Sequence, residues 1–129
     1  MVYLYHLRKK SRKNIIKTLD KEFSEYIRRR YAKNNIAECF TCGKRDHWKK
    51  MQCGHFQSRS WNEDNCQVQC VGCNMFKGGE QYKFGLQLNK KFGDSKAEKL
   101  FLLAKKTKKF INFELLEMIK HYRKLNASL

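Results

Sequence analysis

The sequence predicts an α+β fold in which a small cysteine-bearing core is flanked by helical arms. Apolar residues recur at helical spacing near both ends, the middle has short β-like stretches and glycine turns, and all six cysteines lie between residues 37 and 94. A length of 129 residues fits one compact domain with helical extensions. We therefore divide the chain into an amino-terminal helical arm (1–36), a core (37–94) and a carboxy-terminal helical hairpin (95–129).

Basic residues strongly outnumber acidic ones along the chain. There are 29 Lys and Arg against 12 Asp and Glu, a net charge of +17 at pH 7. The arms carry most of it: residues 1–36 have eleven basic and three acidic side chains, 95–129 have nine and three, and the core has nine and six. This balance disfavours an acidic or neutral metabolic enzyme and favours a polyanionic partner, above all nucleic acid.

The amino-terminal arm predicts a helix from about Asn14 to Lys33. Its apolar residues recur at three- and four-residue steps, namely Ile15, Ile16, Leu19, Phe23, Tyr26, Ile27 and Tyr31. Three arginines, Arg28, Arg29 and Arg30, stand near its end, where cations suit the helix dipole. They are candidates for DNA binding through phosphate, and a solvated basic face is the alternative.

The carboxy-terminal arm predicts two helices. Ser95 and Glu98 form a capping-box pattern for a helix that ends near Lys106, and Asn112 caps a second one. In the core we expect β-like structure around Trp48 to Phe56 and a short helix from Asn74 onwards. The apolar stripes of the arms form core by default, and any surplus would form a dimer contact.

The cysteines are interpreted as metal ligands. No run of 18 apolar residues and no signal peptide are recognisable, so we expect a protein of the reducing cytosol, where disulfides are rare. Cys39 and Cys42 form one CxxC pair, and Cys70 and Cys73 form a second after 27 intervening residues. Two such knuckles complete a tetrahedral structural zinc site with no open position. We interpret Cys53 and Cys66 as small buried residues. Either would be a metal ligand if one of the four cysteines in the CxxC pairs is not.

Further polar residues lie between and directly after the knuckles. Gly54-His55-Phe56 follows a predicted strand, Asn65 comes ten residues after His55, and Asn74 follows the last cysteine of the second pair. Over about residues 37–90 this order resembles the HNH, or ββα-metal, nuclease family. The CxxC-Asn element is similar to that of the phage Holliday-junction resolvase endonuclease VII. The whole order of elements is more closely similar to the NinG (Rap) family of lambdoid phage recombination endonucleases.

The resemblance implies a zinc-stapled ββα-metal core and roles for particular residues. His55 would be the general base that takes a proton from water, since a neutral imidazole is available at physiological pH. Asn74 would bind the catalytic Mg²⁺ or Mn²⁺ through its oxygen, and Asn65 would bond backbone or imidazole to hold the catalytic strand and loop. Arg59 or Lys77 would bind a phosphate of the DNA.

One position departs from the family pattern. Many HNH enzymes carry an Asp or His directly before the base as the other metal ligand, and here that residue is Gly54. Four residues are candidates to replace it, namely Gln52, Asp46, Asp64 and Glu80. His55 could also bind the metal itself, and the sequence leaves these alternatives open.

The predicted function is that of a metal-dependent endonuclease acting on branched recombination intermediates such as Holliday junctions, flaps and D-loops. We expect a phage protein that works in the cytoplasm of a bacterial host. Two alternatives remain: a non-catalytic zinc module that binds DNA or RNA, and an HNH nickase acting on linear duplex. Because a four-way junction needs two symmetric cuts, we also expect a homodimer.

Overall fold

The computed structural model describes residues 11–58 and 61–129, and it confirms the predicted α+β class. The helices of the described residues are α1 (Arg12–Arg29), α2 (Gln81–Phe92), α3 (Lys96–Leu103) and α4 (Asn112–Ala127). The strands are β1 (Ile36–Glu38), β2 (Arg45–His47), β3 (Gln52–His55) and β4 (Cys66–Gln69), with a 3-10 turn at Trp48–Lys50 and a π-helix at Gly72–Phe76. None of the described helices is long and apolar enough to cross a membrane.

Contacts divide the described residues into two units, one of residues 11–26 with 108–129 and one of residues 27–107. The first unit pairs α1 with α4. The rings of Phe23 and Tyr122 meet edge to face at 5.0 Å, and Asn126 Nδ2 donates to the Glu22 carbonyl at 3.0 Å. The apolar stripes of α1 and α4 are thus buried within one chain. From the sequence, these two helices had been assigned to separate amino-terminal and carboxy-terminal arms.

Several helix ends differ from the predicted ones. Helix α1 ends at Arg29, and Asn34 and Asn35, with φ of 51° and 65°, then turn the chain into β1. Ser95 makes no capping hydrogen bond through its side chain within the described part of the chain, and α3 ends at Leu103. Asn112 lies inside α4 and accepts a hydrogen bond from Arg12 Nη1 at 2.8 Å, so its side chain has a distant partner in place of a capping role.

The second unit is built on two antiparallel hairpins. Strand β1 pairs with β2, and β3 pairs with β4 with Gln52 opposite Gln69 and His55 opposite Cys66. One apolar cluster includes three cysteines of the CxxC pairs together with Ala37, Trp48, Met51 and Val68. A second cluster joins α2 to α3 through Phe84, Leu88 and Leu100, with Phe40 and Phe56 packed against it. Both cores are small, and three of the seven buried residues in the first are cysteines of the CxxC pairs.

The helix expected from Asn74 onwards is interrupted. The residues directly around Asn74 form the short π-helix, and α2 begins only at Gln81. Between them Gly78 and Gly79 have φ of 60° and 84°, and Glu80 has φ of 51°. Because left-handed residues end a right-handed helix, this turn separates the knuckle from α2.

Gly54 is required by close packing in the β3–β4 hairpin. A Cβ added there would lie 1.9 Å from Gln69 Oε1, while one added at Gly72 would make ordinary contact at 3.8 Å. Gln69 is fully buried, and its amide is held by hydrogen bonds from Nε2 to Thr41 and to the Gly79 carbonyl. Moving the Gln69 amide away from a new Cβ would strain or break these two hydrogen bonds.

We expect Gly54→Ala to destabilise the second unit by about 1–3 kcal/mol, the usual range for overpacking. Gly72→Ala is the matched control and should change the free energy of unfolding much less. Urea denaturation followed by circular dichroism measures both variants. Equal midpoints for Gly54→Ala and the unmodified chain would show that Gln69 relaxes.

Candidate metal centres and nucleic-acid site

Four cysteines from two chain segments form one cluster. Cys39 follows β1, Cys70 follows β4, and the Sγ atoms of Cys39, Cys42, Cys70 and Cys73 all lie within 4.8 Å of one another. Cys42 Sγ and Cys70 Sγ are 3.7 Å apart. The first knuckle turns at Gly43, which has φ of 80°, and in the second the Cys73 amide donates to Cys70 Sγ at 3.4 Å. The predicted convergence of the two CxxC pairs is confirmed.

Hydrogen bonds within this cluster favour a thiolate at Cys39. Burial opposes charge on Cys39, but the Thr41 hydroxyl and backbone hydrogen bonds lower the pKa of Cys39 to about 6. Burial above all raises the pKa of Cys73 to about 12. A tetrahedral cation of the zinc class would be held by all four sulfurs, and its binding would displace the protons of the thiols whose pKa is raised. The donor set is thus compatible with structural zinc.

A second group of metal-binding side chains lies in the β3–β4 hairpin. Cys53, His55 and Cys66 place their ligand atoms within 4.8 Å of one another. Cys66 is fully buried, as expected for a packing residue, but it stands opposite His55 in the strand register. Sequence reasoning missed this cluster. Part of it could have been predicted, because Cys53 and His55 are two residues apart and so share a face of one strand. Cys66 could not, because the pairing of β3 with β4 was not predicted.

His55 is the last residue of β3 and is half-buried. Its carbonyl accepts a hydrogen bond from Gln81 Nε2 at 3.2 Å, which ties the end of the strand to the start of α2. Asn65 is 3% exposed, accepts from the Gln57 amide at 2.9 Å and donates to the Gln57 carbonyl at 3.4 Å. The expected bonding of Asn65 to backbone is present, and it closes the loop that follows His55.

Asn74 lies in the π-helix directly after Cys73. Its Nδ2 donates to Gln52 Oε1 at 2.8 Å, so Gln52 is the candidate replacement ligand that contacts Asn74. The three acidic candidates each contact a lysine: Asp46 with Lys50 at 3.9 Å, Asp64 with Lys96 at 2.6 Å and Glu80 with Lys83 at 3.4 Å. Because side chains alternate along a strand, Gln52 and His55 belong to opposite faces of β3.

The predicted DNA-binding arginines have different surroundings. The guanidinium groups of Arg28 and Arg29 each lie 5.1 Å from the centre of the Trp48 ring. Arg30 has a side chain only 7% exposed and donates from Nη2 to the carbonyls of Glu63 and Cys66 at 3.0 and 2.7 Å. It holds β4 and the loop before it, and does not face solvent as a phosphate ligand would. Lys77 is exposed, and Arg59 lies outside the described residues.

A basic groove was not predicted from the sequence. It has a volume of about 700 Å³, and its lining includes Arg28, Tyr31, Lys90 and Lys91 as well as residues 39–43 of the first knuckle. Lys91 Nζ lies 3.7 Å from the centre of the Tyr31 ring. Adjacent cations beside an aromatic ring favour phosphate and base contacts. The lysines lie near the end of α2, whereas the sequence predicted only a short helix from Asn74 onwards, so the groove could not be found from charge counts.

Together these features define a small, strongly basic α+β protein with a four-cysteine cluster that is compatible with structural zinc. The model of the family described as bacteriophage lambda NinG protein matches residues 4–129, which is nearly the whole chain. The chain therefore belongs to the NinG family of phage recombination proteins, and the predicted resemblance to that family is confirmed. No curated protein and no solved structure matches the chain.

Proposed function

We propose that this chain is a metal-dependent endonuclease of the HNH type that cuts branched recombination intermediates such as Holliday junctions, flaps and D-loops. The order of elements along the chain carries the proposal: His55 ends the first strand of a β-hairpin, and Asn74 directly follows Cys73 in the next knuckle. Membership of a phage recombination family supports the substrate class. A module that only binds DNA has no need of this combination.

In this mechanism His55 is the general base. Its neutral ring takes a proton from a water whose oxygen attacks phosphorus, and the bond from phosphorus to the leaving oxygen breaks. Asn65 is a positioning residue, because its two hydrogen bonds to Gln57 hold the chain just after His55. The tie from Gln81 to the His55 carbonyl fixes the same strand end from the other side.

Asn74 is the proposed ligand of the catalytic Mg²⁺ or Mn²⁺. Gln52 accepts a hydrogen bond from Asn74 Nδ2, which orients the amide so that Oδ1 is the atom left for a cation. An amide oxygen suits these hard ions, and Mg²⁺ usually keeps several waters, so a site with few protein ligands fits them. When bound, the ion would neutralise charge on the phosphate and the leaving oxygen.

The basic groove is the proposed path of the DNA backbone, and binding is expected to depend steeply on salt and weakly on sequence. Replacing both Lys90 and Lys91 by Gln should weaken binding. On duplex DNA it should also reduce the slope of log affinity against log salt by about 0.9 for each phosphate that the variant no longer neutralises. Lys120 and Lys124, on the exposed side of α4, give a matched double Gln control. A flat salt response in the unmodified chain would contradict a phosphate-dominated interface.

A cleavage assay tests the proposed function. The unmodified chain is incubated with Mg²⁺ or Mn²⁺ and with a four-way junction, a flap and a linear duplex of matched sequence. We expect metal-dependent cutting of the junction and flap in preference to the duplex. Nicking of linear duplex would favour the nickase alternative. Tight binding without cleavage of any substrate would favour the non-catalytic module.

A homodimer remains part of the proposal, because resolving a junction needs two cuts related by two-fold symmetry. The stripes of α1 and α4 are buried, but Phe101, Leu102 and Leu103 on α3 are about half exposed. We expect light scattering to give the mass of a dimer on junction DNA. A monomer in the presence and absence of DNA, with nicks in single strands, would contradict paired cutting.

A further inference from the structure

The cluster of Cys53, His55 and Cys66 lies outside the four-cysteine centre and has the donor chemistry of a separate metal site. The register of the hairpin sets His55 opposite Cys66, while Cys53 is two residues before His55 and therefore on the same face. Their two sulfur atoms and a ring nitrogen lie within 4.8 Å of one another. Tetrahedral zinc with its usual bond lengths separates its ligand atoms by about 3.5–3.8 Å, so small side-chain rotations suffice.

The donors select a soft cation. Two thiolates and one imidazole suit Zn²⁺, whereas Mg²⁺ and Mn²⁺ prefer oxygen ligands. Three protein ligands leave a fourth position for water. The site therefore differs both from the closed four-cysteine cluster and from the oxygen site proposed at Asn74.

A counter-charge would be needed to keep two thiolates in this buried hairpin. The hydrogen bond with Cys53 and burial raise the pKa of the Cys66 thiol far above its usual range, and the Arg30 charge partly offsets them. Cys66 is fully buried, so two thiolates alone would be costly there. Zn²⁺ cancels the charge of both thiolates as each thiol releases one proton to solvent.

We propose that Cys53, His55 and Cys66 bind a second Zn²⁺ and that this zinc inhibits DNA cleavage. Metal binding at these three residues is independent of the proposed nuclease function, but the inhibition rests on it. A ring of His55 bound to zinc has given one nitrogen lone pair to the metal and cannot take a proton from water with that nitrogen. The chain would thus be active when free zinc is low and inactive when it is high.

Metal stoichiometry tests the site without reference to activity. The full chain is dialysed against buffer with micromolar free Zn²⁺, and zinc per chain is measured by elemental analysis. We expect two zinc ions per chain for the unmodified protein and one for Cys53→Ser, with circular dichroism unchanged. Cys66→Ser and Cys66→Ala provide second variants with the same expected loss. One zinc in the unmodified chain, or two in all the variants, would overturn the proposal.

Cobalt absorption provides an independent readout. Co²⁺ added to a chain that carries zinc only in its four-cysteine cluster should produce thiolate-to-cobalt charge transfer, with about half the intensity of a four-thiolate site. Cys53→Ser, which should no longer hold the second ion, should lose that signal, and His55→Ala should need a higher Co²⁺ concentration to produce it. Absence of charge transfer in the unmodified chain would contradict thiolate ligation.

Inhibition is tested by measuring the cleavage rate of each protein with and without micromolar Zn²⁺ at constant Mg²⁺. The two rates of the same protein are then compared as a ratio. We expect at least a tenfold decrease for the unmodified chain and little change for Cys53→Ser. Equal inhibition of both would show that zinc acts elsewhere, for example at Asn74, and would overturn the inhibitory role. If no protein cleaves DNA, the proposed function fails while the stoichiometry still decides the site.

Discussion

Removal of zinc by a strong chelator is expected to unfold residues 27–107. The apolar cluster around the knuckles contains only seven buried residues, and three of them are the cysteines Cys39, Cys70 and Cys73. Structural zinc binds with about 10–16 kcal/mol in small metal-dependent domains, which equals or exceeds the 5–15 kcal/mol stability of a typical domain. Cys70→Ser should have the same effect, because it removes a buried ligand and leaves a polar group in the cluster.

Thermal unfolding followed by circular dichroism, together with zinc per chain, measures this effect. Cys53→Ser is the matched control, since Cys53 lies outside the four-cysteine cluster and its loss should leave that zinc in place. Re-addition of Zn²⁺ should restore the fold of the chelated protein. A zinc-free chain with an unchanged unfolding midpoint would show that the apolar cores suffice without the metal.

His55→Ala is expected to reduce cleavage by about 10²–10⁴, the usual contribution of a general base. Affinity for junction DNA should stay within about twofold, because the imidazole acts on water and the phosphate contacts come from other side chains. The measurements are single-turnover cleavage under saturating Mg²⁺ and a binding titration with the same junction. Asn74→Ala should instead raise the Mg²⁺ concentration needed for half-maximal rate.

His121→Ala is the control for histidine replacement, since His121 is exposed on α4 and belongs to the first unit. Its cleavage rate should equal that of the unmodified chain. Turnover like that of the unmodified chain in His55→Ala would exclude His55 as the base. If His55→Ala also lost DNA binding, the role of His55 would be in folding or in binding, and not in proton transfer.

Local patterns predicted the features that depend on local geometry. A CxxC pair determines two ligands within one tight turn, so the four zinc-type ligands could be named without any knowledge of the strands. The stripe of Ile15, Leu19, Phe23 and Ile27 likewise predicted a helix with a buried face, because four-residue spacing sets one side of a helix. The NinG resemblance rested on the order of such local elements, and the family match confirms it.

Other features depended on which segments meet. Arg30 was interpreted as a surface cation, but the loop at Glu63 and strand β4 surround it and supply carbonyl acceptors from residues more than thirty positions away. Ser95 and Asn112 matched capping patterns, yet Asn112 found a partner in Arg12 at a separation of 100 residues. Propensity rules carry no information about such distant partners, so they cannot decide between a cap and a tertiary contact.

The sequence by itself determined the α+β class, the two CxxC pairs and the net positive charge, since each follows from composition or from residues close together in the chain, and the order of its motifs carried the resemblance to the NinG family. The tertiary structure decided that Cys53 and Cys66 join His55, that Asn74 meets Gln52, and that α2 brings Lys90 and Lys91 to the first knuckle. The physical reason is strand register: a shift of one residue in the β3–β4 pairing would turn Cys66 to the opposite face from His55, and only the packed core selects the register observed.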